Sequence, residues 1–89
     1  MLSKTTERFR KCFKKLPLDI QLKARIIFNI WLNNPNHKSI KFKKIHKKKD
    51  IFSIRITIGY RALGVISEEE MIWFWIGSHS DYDKLIKNL

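Results

Sequence analysis

The sequence predicts an α+β domain. An N-terminal helical hairpin packs on an antiparallel sheet meander of three to four strands, followed by a short C-terminal helix. Three observations carry this. Before Pro35 the apolar residues recur at helical spacing; after it they alternate as in strands; beyond Gly77 helical spacing returns. The predicted order is α-α-β-β-β-β-α. Strands joined by short turns pair as a meander, and the helices must cover one of its faces. The chain of 89 residues is read as one domain, 1–89, without repeats or linkers.

Each element has its own signals. Thr5 or Thr6 can cap the first helix, with Glu7 in its positive first turn. Phe9, Cys12, Phe13 and Leu16 then form one helical face. Pro17 ends this helix and opens the next, with Asp19 in its first turn. Ile20, Ala24, Ile27, Phe28 and Trp31 share a face of the second helix, and Asn33-Asn34-Pro35 stops it. The stretch Ile40–Lys43 alternates like a short strand. IFSIRITI (51–58) alternates more clearly, with Phe52, Ile54, Ile56 and Ile58 on one face and Ser53, Arg55 and Thr57 on the other. Gly59 is a turn, YRALGVI (60–66) a third strand, SEEE (67–70) a polar turn, and MIWFWI (71–76) a fourth strand apolar on both faces. Ser78 or Ser80 starts the last helix, whose apolar face is Tyr82, Leu85, Ile86 and Leu89. The MLSKTT start is short and polar for a strand.

Composition narrows the partners. The 44% hydrophobic content fits a folded chain, and the net charge of +11 favours a polyanion such as nucleic acid or an acidic protein. The single cysteine, Cys12, excludes an internal disulfide framework and fits a reducing, cytoplasmic location. The first residues lack the apolar run of a secretory signal. No apolar run reaches the roughly 18 residues that span a bilayer, so no membrane partner is expected.

The segment IWFWIGSHSDYDKL (72–85) stands out because its apolar run ends in groups that can move protons. With the hairpin ending in NNP, the strand IKFKKI and the segment SIRITIGYRALG, it resembles the RelE/ParE-type toxins of bacterial type II toxin–antitoxin pairs. The resemblance covers the chain from about Phe9 to the end. It implies a RelE-like fold and a metal-independent endoribonuclease (mRNA interferase) that inhibits translation, acting on the ribosome in many members. By position it implies working residues at Arg55, Arg61, His79 and Tyr82, and an acidic cognate antitoxin as partner. Two departures accompany it. Family members usually begin with a strand before the hairpin, and some carry a second basic residue where this chain has Ser53.

The chemistry agrees with these residue types. RNA cleavage needs no cofactor: the 2′-OH attacks the neighbouring phosphate once a base takes its proton, an acid protonates the leaving oxygen, and cations hold the charge that builds on phosphorus. Guanidinium groups such as Arg55 and Arg61 suit the last task. His79 belongs to the residue type that titrates near neutrality, and Tyr82 suits an acid or a platform for a base. Lys41, Lys43, Lys44, Lys47, Lys48 and Lys49 can track an RNA backbone. Each residue also has a structural role open to it. Tyr82 can pack on the last helix, His79 can cap a turn, and the arginines can pair with carboxylates. Asp81 and Asp83 are read as helix-start residues, and the tryptophans and Phe42 as core. No metal or other cofactor is expected. Two further functions fit the same fold: a ParE-like DNA gyrase inhibitor without nuclease activity, and a non-catalytic basic nucleic-acid-binding module.

Overall fold

The chain opens on a strand. In the computed structural model, which describes residues 2–89, β1 (Leu2–Thr5) runs parallel to the later β5 (Glu70–Ser78), with Leu2 opposite Glu70 and Thr5 opposite Trp73. This corrects the reading of MLSKTT as too short and polar for a strand. β1 is an edge strand with mostly exposed side chains, so no apolar alternation is required of it. Main-chain pairing to β5 holds it, extended by the Thr6 N–H donating to the Trp73 carbonyl at 3.0 Å. Lys4 and Glu70 add an ion pair at 3.0 Å.

The helical hairpin follows. The Thr6 hydroxyl caps α1 (Glu7–Lys14) by accepting from the Phe9 N–H at 3.1 Å. Pro17 precedes α2 (Leu18–Asn33). The corner between them is fastened by the Gln21 amide, which donates to the Leu16 carbonyl at 3.0 Å.

Beyond α2 the predicted strand at Ile40–Lys43 is mostly replaced by a single 3₁₀ turn, Lys38–Ile40. Ile40 is fully buried there and plugs the core, and Lys41 takes a left-handed conformation (φ 45°) that breaks the alternation. Only Lys43–Lys44 pair as β2, antiparallel to β3 (Ile51–Thr57). β4 (Tyr60–Ser67) and β5 continue the meander. Glu68 and Glu69, both at positive φ, form the tight turn between them. The sheet is thus five-stranded and mixed, in the order β1-β5-β4-β3-β2. A bulge between Arg55 and Thr57 ends the alternation of β3. Ile58 consequently lies in the turn, 77% exposed, and does not share the face of Phe52, Ile54 and Ile56.

The helices cover both faces of the sheet, not one. Phe52, Ile54, Ile56, Ala62, Met71 and Trp73 pack with the hairpin residues Phe9, Ala24, Ile27 and Trp31. On the other face Ile51, Leu63 and Trp75 pack with Tyr82 of α3 (His79–Ile86). The two-sided apolar character of β5 requires this second cover. A bulge at Phe74 carries β5 from one face to the other: Gly64 pairs with Trp73, and Leu63 with Trp75.

Gly64 sits where the sheet and the hairpin core meet. A Cβ there would lie 2.6 Å from Met71 Sδ and 2.7 Å from the Trp73 ring. Both neighbours are almost wholly buried. Gly64→Ala is therefore expected to destabilise the fold by about 1–3 kcal/mol through overpacking, read as a lowered urea midpoint with unchanged slope. An unchanged midpoint would show that the Trp73 ring can move aside.

Candidate active site

The sheet register assembles the cations. Arg55 of β3 is directly opposite Arg61 of β4, on the face that carries Ser53, Leu63 and α3. Like charges in this position repel. No carboxylate within ion-pairing distance offsets them among the described residues. The Arg61 pKa is lowered, first by burial and then by the Arg55 charge, with the nearby Tyr82 and Asp83 acting in the opposite direction. The pair is a ready site for an anion, which would relieve both the repulsion and the lost hydration.

Arg61 is held in place by main chain. Its Nη1 lies within hydrogen-bonding distance of the carbonyls of Thr57 (2.5 Å), Tyr60 (3.0 Å) and Ile58 (3.2 Å). These carbonyls fix the guanidinium without neutralising it. Its other nitrogens donate to no protein acceptor among the described residues.

The proton-handling groups arrive from the start of α3. Ser78 caps this helix, its hydroxyl accepting from the Asp81 N–H at 3.2 Å. The His79 N–H donates to the Gly59 carbonyl at 2.8 Å, which pins the helix start to the β3–β4 turn. One turn on, Asp83 Oδ2 is 3.1 Å from His79 Nδ1. If Nδ1 carries the ring proton, this bond fixes the tautomer and leaves Nε2 with the lone pair. The Tyr82 ring stands edge-on to His79, centroids 5.9 Å apart. It also packs against Trp75 at 6.4 Å.

Arg55, Arg61, His79 and Tyr82 thus gather at one end of one sheet face. Tyr82 has the packing role too: it is 7% exposed and belongs to the second apolar cluster. Asp83, which the sequence suggests as a helix-start residue, is instead the partner of His79, a contact that the i, i+4 spacing on a helix allows. The lysines do not act as one surface. Lys44 is opposite Phe52, on the hairpin face, and pairs with Asp50 at 3.3 Å. Lys47, Lys48 and Lys49 lie in a loop organised by His46 Nδ1, which accepts from the N–H groups of Lys48 and Lys49. Lys43, opposite Ser53, shares the face of Arg55. Phe42 is core, stacked on Phe52 at 4.9 Å.

The domain is thus basic and α+β, with two arginines that lack a carboxylate partner among the described residues and a histidine–carboxylate pair at the start of α3. Residues 18–84 match the family model described as a ParE-like toxin domain. The chain belongs to this family, within the RelE/ParE toxin superfamily. Solved toxins share the fold. The RelB–RelE antitoxin–toxin complex from Methanococcus jannaschii matches with a TM-score of 0.72 at 21% identity, over 94% of this chain and 98% of that one. The YoeB/ParE toxin from Agrobacterium tumefaciens matches with a TM-score of 0.71 at 14% identity, over 89% and 99%. The isolated Escherichia coli RelE toxin matches with a TM-score of 0.66 at 18% identity, over 98% and 96%. No curated protein matches. No helix among the described residues is long and apolar enough to cross a membrane.

Proposed function

We propose that this chain is the toxin of a type II toxin–antitoxin pair and a metal-independent mRNA endonuclease that acts on translating ribosomes. The observation that carries this reading is the convergence of the uncompensated Arg55–Arg61 pair with the His79–Asp83 pair and Tyr82. Arg55 and Arg61 hold the phosphate and the negative charge that grows on it during 2′-OH attack. His79, oriented by Asp83, and Tyr82 divide the two proton transfers between them. The net charge of +11 supports an acidic antitoxin as the cognate partner. Antitoxin-bound relatives such as the Methanococcus jannaschii complex support it too.

The test is translation in a cell-free bacterial extract, with message ends mapped by primer extension. Wild-type protein is expected to produce new cuts, and the His79→Ala, Tyr82→Phe double variant to leave the message intact. Intact message with both proteins would reject the nuclease. The ParE-like description of the family favours one alternative, binding and inhibition of DNA gyrase. A gyrase supercoiling assay reads it, and there the double variant would inhibit as well as the wild type.

A further inference from the structure

The site holds a row of cations that the sequence does not display. Lys43 of β2 is directly opposite Ser53 of β3, and Arg55 comes two residues after Ser53 on the same face. Arg61 is directly opposite Arg55 on the next strand. Lys43, Arg55 and Arg61 therefore cross three adjacent strands on one face, with diagonal neighbours about 7–8 Å apart. On β3 the residue opposite Lys43 is Ser53, which is small and, at 2% exposed, covered by its neighbours, so its own side chain does not project between the two cations.

The other lysines differ from Lys43 in ways that matter. Lys44 points to the opposite face and is paired with Asp50. Lys41 precedes the strand in a left-handed conformation. Lys47, Lys48 and Lys49 lie beyond the strand, in the loop held by His46. Lys43 is exposed and, among the described residues, has no carboxylate partner.

We propose that Lys43 binds the backbone phosphate next to the one held by Arg55 and Arg61, so that a single RNA strand runs across β2, β3 and β4 and is set in register for cleavage. This deepens the nuclease reading of the same site and rests on it. A flexible ammonium suits the role: it holds a phosphate as a point charge, while the rigid guanidinium forks address the reacting one. The contact is sequence-independent and salt-sensitive.

The experiment uses the full chain and a short fluorescent 2′-O-methyl oligouridylate, which lacks the attacking hydroxyl and cannot be cut. Affinity is measured against salt for the wild type, Lys43→Gln, Arg55→Gln, their double variant and the loop control Lys48→Gln. Lys43→Gln is expected to reduce the slope of log affinity against log salt by about 0.7, the loss of one phosphate contact on a single strand. Its effect should be non-additive with Arg55→Gln, because both cations fix the same short stretch of backbone. Lys48→Gln should combine additively with Arg55→Gln. An unchanged slope for Lys43→Gln, or additivity equal to that of Lys48→Gln, would overturn the proposal. Message cleavage by the wild type is followed in parallel. Cleavage without the coupling rejects the Lys43 contact alone. Intact message with the coupling present rejects the nuclease and supports the phosphate contact.

Discussion

Under the proposed nuclease function, Arg55→Gln is expected to reduce message cleavage by about 10²–10³-fold, the loss that follows removal of one preorganised charge-stabilising donor. Arg61→Gln should be at least as damaging, because main-chain carbonyls already fix this guanidinium in place and it needs no reorganisation as charge develops. The two variants separate on stability. Arg61 bridges three carbonyls of the β3–β4 turn, so its loss also loosens the turn. Arg55 has no ion-pair partner among the described residues and opposes Arg61, so Arg55→Gln should leave the urea midpoint unchanged or raise it. Low activity in a protein of undiminished stability is the signature of a residue kept for its charge. A fall in stability matching the fall in activity would make Arg55 structural. Arg55→Lys should restore RNA binding better than cleavage, since an ammonium keeps the charge and loses the two-pronged geometry.

Trp73→Ala is the substitution expected to damage the fold most. The indole is 3% exposed and meets Phe28 edge-on at 4.9 Å and Trp31 at 5.3 Å. Its backbone pairs with both Thr5 and Gly64, so it joins β1, β4 and the hairpin. Truncating such a side chain costs about 3–5 kcal/mol, against a total stability of about 5–15 kcal/mol for a domain. The melting temperature should fall by more than about 10 °C, followed by circular dichroism. Trp75→Ala is the useful comparison. It removes a similar ring from the smaller cluster beneath Tyr82, so it should perturb the site along with the fold. A smaller loss at Trp73 than at Trp75 would mean that the α3 face, not the hairpin face, dominates stability.

Elements that bury one face could be read from the sequence because burial writes a period into it. The hairpin from Phe9 to Trp31 and the alternation from Ile51 to Ile56 show this, and the structure has them. β1 left no such trace. Its stabilisation lies in main-chain hydrogen bonds to β5, which any side chain permits. The Ile40–Lys43 strand failed for the opposite reason: its alternation is real, but Ile40 is used as a plug at the end of a 3₁₀ turn. The position of α3 was legible in part: its apolar residues say that it packs somewhere and the two apolar faces of β5 leave a place for it, while the expectation that all helices share one face concealed that α3 takes the second.

The candidate site divides in the same way. The sequence by itself determined the residue types, their charge and the helix start that carries His79 and Tyr82. Tertiary structure decided which of them meet. The nearness of Arg55 and Arg61 across the Gly59 turn could be read from the sequence, but the register that sets them directly opposite, and Lys43 opposite Ser53, depends on the bulge between Arg55 and Thr57 and on the shape of the loop that joins β2 to β3. The closeness of His79 to the arginines depends on its N–H bonding to Gly59, across the sheet end. Local patterning reports which face a residue takes; the exact partner across the sheet also depends on bulges and turn geometry, which the alternation by itself does not reveal.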